Sequence, residues 1–330
     1  MTIALHKISA RLWSRAIQVI TSIAIVAFAA STASAQTYGF VTLPPGTLNH
    51  TTASAVAKIL KEKAGLNVLV QPTAGDSVII PMVGRGEAEI GITNIMEAQD
   101  GMDKGNKDLR LIVVAHSLRT PFFVRKDSGL FKVADLKGKR VAIWPGSTQE
   151  VFILERLRME GMTIRDVESV RVSFSEMPTM LARGDVDAYV GAEPGPGLSI
   201  SSGQGQLVEY PYSTAMGGLN MIFGTHADTV AKDPDLIRMM LKTHRQAVEF
   251  MSANTPAVVD ATVQKLGANR AAVEQALGAH NVDYVWKLDA TAQTQAKTYA
   301  QHMLDLKQIR ALPKFDTFLN PKFSDELTSA

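Results

Sequence analysis

The chain has 330 residues, no cysteine, 34 basic against 32 acidic side chains, and 46% hydrophobic residues. That length allows two lobes of ordinary domain size, and the composition is that of a folded chain rather than a disordered one. The lack of cysteine excludes disulfides, thiolate metal sites, a cysteine nucleophile and a lipidated amino terminus.

The first 35 residues stand apart. Lys7, Arg11 and Arg15 precede an apolar run, Ala16–Ala30, and Ala33-Ser34-Ala35 supplies an A-x-A site. This is the layout of a secretory signal peptide cut before Gln36, with the periplasm as the expected destination. An uncleaved anchor is the competing reading, but the run is short for a membrane span. Removing the segment leaves 31 basic against 32 acidic residues, a net charge of −1, so no basic nucleic-acid binder is expected.

Strands and helices then alternate, the pattern of βαβ units and largely parallel sheets. Tyr38–Leu43 reads as a strand. Thr47–Lys63 reads as an amphipathic helix with Ala53, Val56, Ala57 and Leu60 on one face. Asn67–Gln71 is a second strand, and Asp76 or Ser77 in the turn beyond it offers a helix cap. Strands follow at Glu89–Thr93 and Leu109–Ala115, and Pro121–Lys126 is extended. The order repeats with strand Arg140–Trp144, helix Thr148–Glu160, strand Ser169–Val172, helix Glu176–Arg183 and strand Ala188–Gly191. Glu193-Pro194-Gly195-Pro196-Gly197 is expected to be irregular, and Asn220–Gly224 is apolar again. The last third is helical: Asp233-Pro234 supplies a cap and a first-turn proline. Further helices are expected near Pro256–Leu266, Arg270–Leu277 and Ala290–Leu306.

The most informative stretch is Lys137–Glu150. A buried strand, Val141–Trp144, meets a Pro145-Gly146 turn, and Ser147 or Thr148 can cap the helix that follows. A helix opening at the carboxyl end of such a strand aims free N–H groups at whatever sits there, which is where open α/β sheets hold ligands. Val41–Thr47 matches Val141–Ser147 at an offset of 100. Arg85–Glu89 matches Arg183–Asp187 at an offset of 98, which suggests two similar lobes.

Three segments carry a family resemblance. DLKGKRVAIWPGSTQ, RGDVDAYVGAEP and DPDLIRMMLKTHRQAVEFMSANT (with the later ALPKFDTFLNPKF) are similar, in that order, to periplasmic substrate-binding proteins of the type II architecture. The nitrate/sulfonate/taurine class of ABC importers is the nearest in kind. The portion Asn49–Asn94 also resembles the TAXI receptors of TRAP transporters. The resemblance implies an α/β fold of two lobes, each a mostly parallel sheet flanked by helices, joined by two hinge crossings. Residues 36–120 with 225–330 would form one lobe, and 121–224 the other. It implies a receptor that holds a small organic molecule, with an anion such as a sulfonate or carboxylate favoured, and delivers it to an inner-membrane permease.

The candidate ligand contacts are Thr47, Asn49 and His50 at the first helix start, Ser77 after the second strand, and Asn94 at the end of the third. Arg119, whose guanidinium suits an anion, lies at the expected crossover near His116. Trp144, Ser147, Thr148, Gln149 and Glu193 come from the second lobe. Capping or core packing is the competing role for most of them. No H-E-x-x-H, G-x-S-x-G or phosphate-loop pattern is present, so no catalytic residue, metal or cofactor is assigned. An enzyme on the same scaffold, a lyase or dehydratase, is the rival from another class. A receptor paired with a membrane sensor is a third reading. Relatives that make the thiamine pyrimidine carry a cysteine-rich motif that this chain lacks.

Overall fold

The computed structural model describes residues 36–43, 45, 48–118, 122–191, 195–209, 217–266, 269–278 and 282–329. The segment assigned to a signal peptide lies outside them. Residues Tyr38–Ala330 form one compact unit, and among the described residues no helix is long and apolar enough to cross a membrane.

The first half of the chain runs β1 (Thr37–Thr42), α1 (Leu48–Ala64), β2 (Asn67–Pro72), α2 (Asp76–Gly84), β3 (Ile90–Asn94), α3 (Ile95–Asp103), β4 (Leu109–Leu118) and β5 (Phe122–Arg125). It continues β6 (Arg140–Ile143), α4 (Thr148–Met159), β7 (Glu168–Arg171), α5 (Met177–Arg183), β8 (Ala188–Val190), α6 (Gly195–Ser201), β9 (Gly205–Glu209) and β10 (Leu219–His226). The remainder is α7 (Ala227–Lys232), α8 (Pro234–Ala253), α9 (Thr255–Leu266), α10 (Arg270–Gly278), β11 (Val282–Asp283), α11 (Ala290–Asp305), α12 (Phe315–Phe318) and α13 (Lys322–Ser329).

Two sheets result. One has the order β11-β4-β10-β3-β1-β2, the other β7-β6-β8-β5-β9. The pairs β1–β3, β6–β7 and β6–β8 are parallel, as βαβ connections require. The strands beside the two passages between sheets run the other way. β10 is antiparallel to both β3 and β4, and β5 is antiparallel to both β8 and β9. A chain returning from the other sheet enters where its outgoing strand left, so it must run back along that strand.

Burial explains the elements. Ala53, Val56, Ala57 and Leu60 are buried under α1, and every residue of β3 is buried. On α8, Asp233 Oδ1 caps Leu236 N at 3.4 Å with Pro234 in the first turn, and Leu236, Ile237, Met240 and Leu241 are fully covered. His244 on the same helix packs edge-on to Phe223, with Nε2 3.3 Å from the carbonyls of Val114 and Val285. Burial pushes it down to about 4, so it sits in the core as a neutral ring.

α11 joins the two halves. It packs against α3 beside the first sheet and α4 beside the second. Gln99 Nε2 donates to Ala296 O at 2.6 Å, and His302 Nδ1 lies 3.3 Å from Glu155 Oε2. Gln295 Oε1 accepts from Leu219 N at 3.1 Å, pinning the start of β10.

Two local expectations are corrected. Gly195-Pro196-Gly197 is not irregular: it opens α6, because a proline in the first turn gives up an N–H that has no partner there anyway. Neither Asp76 nor Ser77 caps α2. The cap position is Gly75, with no side-chain bond, and Asp76 lies inside the first turn with its carboxylate turned toward β3.

Candidate functional site

The carboxyl ends of β3 and β6 bring two helix starts into the space between the sheets. At the first, Asn94 ends β3 and caps α3, its Oδ1 accepting from Glu97 N at 2.9 Å. At the second, Ser147 caps α4, accepting from Glu150 N at 3.2 Å and donating to Trp144 O at 2.6 Å. Both follow the rule that short polar side chains before a helix satisfy its orphan N–H groups.

Contacts between the two sides are direct. Asn220, the second residue of β10 and 2% exposed, donates from Nδ2 to Thr148 Oγ1 at 2.6 Å. Thr148 Oγ1 donates in turn to Gln149 Oε1 at 3.0 Å. The Glu97 carboxylate comes up against the Pro145-Gly146 turn: a methyl group at Gly146 would lie 3.3 Å from Glu97 Oε1. Gly146 has φ +75°, so a side chain there is disfavoured by conformation as well as by space.

Beneath these lies Asp76. Its Oδ1 accepts from Thr93 Oγ1 at 2.9 Å and from Asn94 N at 3.1 Å. Burial pushes its carboxyl up, and the hydrogen bonds from Thr93 and Asn94 pull against that. Burial, with Asp76 and Asp100 as like charges, pushes Glu97 up to about 7, while Lys104 works in the opposite direction.

The structure therefore gathers Asn49, Asn94, Ser147, Thr148 and Gln149 from the sequence-predicted set. All five are buried, and Asn49 Nδ2 rests 3.3 Å from the Met221 sulfur, beside the strand position opposite Asn94. His50 is half-buried in the first turn of α1. Ser77 is exposed. Trp144 is 37% exposed, with the exposed Arg171 guanidinium 5.3 Å above its ring. Thr47, Arg119 and Glu193 lie outside the described residues, as does the side chain of His116. Sequence reasoning missed Glu97 and Asn220. The first was visible as Asn94-x-x-Glu97 at a strand end, a helix-opening signature, and the second as an amide leading an otherwise apolar strand. Among the described residues no group of three His, Asp or Glu is placed to hold a metal ion.

Comparison with known proteins agrees with this architecture. The model of the NMT1/THI5-like family matches residues 61–257. The chain belongs to that family. A Brucella abortus protein described only as a binding protein is 24% identical over 235 residues, covering 68% of this chain and 69% of its own. Among solved structures, the periplasmic aliphatic sulphonate-binding protein SsuA of Escherichia coli superposes with a TM-score of 0.73 at 15% identity, covering 88% of this chain and 94% of its own. The periplasmic nitrate-binding protein NrtA of Synechocystis gives 0.68 at 13%, covering 90% and 89%. The desulfurization enzyme DSZB shares the fold as well, with a TM-score of 0.64 at 18% identity, covering 89% and 99%. At these identities the likeness is one of fold: the two-lobed architecture of periplasmic binding proteins.

Proposed function

We propose that this protein is an exported solute receptor that captures a small organic molecule between its two sheets and hands it to an inner-membrane ABC-type permease. The observation that carries the reading is the polar seam between the sheets, where Asn220 meets Thr148 and Glu97 meets Gly146. Side chains from both halves line one space, as hinge closure around a ligand requires. The family and the transport proteins among its structural neighbours support the role. Two lobes, 36–120 with 225–330 and 121–224, would move about the passages between β4 and β5 and between β9 and β10. A TRAP permease would leave the binding role intact, but the sulfonate- and nitrate-binding neighbours favour the ABC partner. The amino-terminal segment and those neighbours support a periplasmic location.

A thermal-shift screen of the purified protein against small organic solutes, with recovery of each compound measured afterwards, tests this. A ligand at a hundredfold excess over Kd adds about 2.7 kcal/mol of stability, so one chemical class should raise Tm and be recovered unchanged. Consumption of the compound would instead assign an enzyme, as on the DSZB fold.

A further inference from the structure

We propose that the head group this receptor grips is a hydrogen-bond donor, a protonated amine or amidine, received by Glu97 with Asp76 and Asn220, in place of the anion expected from the sequence. The inference rests on the receptor reading and adds the chemistry of its ligand. Its basis is an inventory of hydrogen bonds at the seam.

Several donors there are already committed. Glu97 N is held by Asn94, Glu150 N by Ser147, and Gly146 N by Glu150 Oε2 at 2.9 Å. Asn94 N and the Thr93 hydroxyl are held by Asp76, the Ser147 hydroxyl by Trp144 O, and the Thr148 hydroxyl by Gln149. The capped third amide of each helix start is thus taken, while its first two amides, Ile95 and Met96 on α3 and Thr148 and Gln149 on α4, have no such cap.

Acceptors are left over. No described residue donates to the Glu97 carboxylate, and no described Lys or Arg forms an ion pair with Glu97 or Asp76. Lys104, two turns on at the end of α3, is paired with Asp100, and Arg171 is exposed over Trp144. Independently, Asn220 Oδ1 is buried without a partner among the described residues. The Asn220 side chain reaches the seam, where its Nδ2 donates to Thr148 Oγ1 and Thr148 donates in turn to Gln149. A buried acceptor of this kind is costly unless something donates to it. Asn220 and Glu97 lie on neighbouring elements, because Met221 sits opposite Asn94 in the β3–β10 ladder. A cation bearing several N–H groups satisfies the carboxylates and the amide together; an anion satisfies none of them.

The test is calorimetric titration of the full chain with putrescine, agmatine and benzamidine, set against methanesulfonate, nitrate and benzoate, at pH 8. At least one cation should bind. Glu97→Gln should weaken it about ten- to a hundredfold, the weight of one charge-assisted hydrogen bond. Asp76→Asn is the second variant, and a cooperative thermal transition in each confirms folding. Binding of anions alone, or cation binding unchanged in a folded Glu97→Gln, overturns the proposal while leaving the receptor standing. Failure of every probe of either sign, with no Tm rise for any solute in the wider screen, overturns the receptor reading as well.

Discussion

The two halves of the molecule build the same frame with different chemistry. In the first, β1 pairs with β3 through Phe40 opposite Ile90 and Val41 opposite Gly91. In the second, β6 pairs with β8 through Val141 opposite Ala188 and Ala142 opposite Tyr189. Each middle strand is preceded by a glycine with positive φ, Gly86 or Gly184, then a buried apolar residue, Ala88 or Val186, then a carboxylate. That carboxylate receives the N–H entering the neighbouring strand: Glu89 Oε2 from Gly39 N at 2.5 Å, and Asp187 Oδ2 from Arg140 N at 2.9 Å.

The difference lies in what fills the frame. Gly91 lets α2 close onto β3, where a methyl group would lie 2.8 Å from Ile79 and 2.9 Å from Val83. That close approach brings Asp76, the first residue of α2, onto the end of β3. At the matching position the second half carries Tyr189, stacked on Phe123 at 5.5 Å and bonded to Ser199 Oγ at 2.8 Å. Its helix α5 packs over an aromatic ring instead of a bare strand. One half has its helix pressed down with a carboxylate at the tip, and the other has a filled core. The asymmetry places the acidic side of the seam on the first sheet.

Substitutions can break or sharpen this comparison. The largest effect is expected at the paired filling positions. Tyr189→Ala should cost about 3–5 kcal/mol in urea denaturation, as large-to-small core changes do. Gly91→Val should cost about 1–3 kcal/mol by overpacking, and should also weaken ligand binding by displacing Asp76. A Gly91→Val variant that binds normally would separate the close approach from the site.

The carboxylate pair comes next. Asp187 also holds the Arg140 side chain, with Nη2 2.9 Å from Oδ1 and a further bond from Nη2 to Gly184 O at 2.7 Å. Asp187→Ala should therefore cost about 1.5–3 kcal/mol, against about 1 kcal/mol for Glu89→Ala, which loses one backbone donor. Equal losses in denaturant titrations would show that the Arg140 fork adds nothing. The helix caps should match more closely: Ser147→Ala and Asn94→Ala are each expected to lose about 1 kcal/mol.

The smallest effect concerns pH. Glu97 keeps its proton up to about pH 7 in the folded chain and loses it near its ordinary value of 4.5 when unfolded. Between those values the folded state holds the extra proton, so this group's contribution to stability falls as pH rises through the window. Glu97→Gln should gain less than about 1 kcal/mol at pH 8, after solvent screening, and nothing at pH 4. Thermal melts of the two proteins across that range check the sign, and an Asp76→Asn background should shrink the gain.

Much of the fold was legible in the sequence because its signals are local. The α1 face, the Asp233-Pro234 start of α8, the Ser147 cap and the turns at Gly86 and Gly184 all depend on residues a few positions apart, and each is present in the structure, while Pro44, Gly46 and Thr47 of the first paired turn lie outside the described residues. The repeat was legible too, though its strand register is 101 rather than 100. The turn residues dominate the match, while register follows the ladder of hydrogen bonds, Phe40 with Ile90 and Val141 with Ala188.

The site was less legible. Asn94, Thr148 and Gln149 could be found as polar residues at strand ends and helix starts. Glu97 fell in a stretch given no element, and Asn220 read as part of an apolar strand. Sequence by itself determined most of the elements, their order and where helices such as α4 and α8 open, since propensity, caps and turn chemistry act over a few residues. Only the tertiary structure decided which of those openings face each other and which polar atoms are left unpaired between them. Those outcomes depend on Asn220 meeting Thr148 and Glu97 meeting Gly146 across 72 and 49 positions of chain, and on burial removing the water that would otherwise satisfy them.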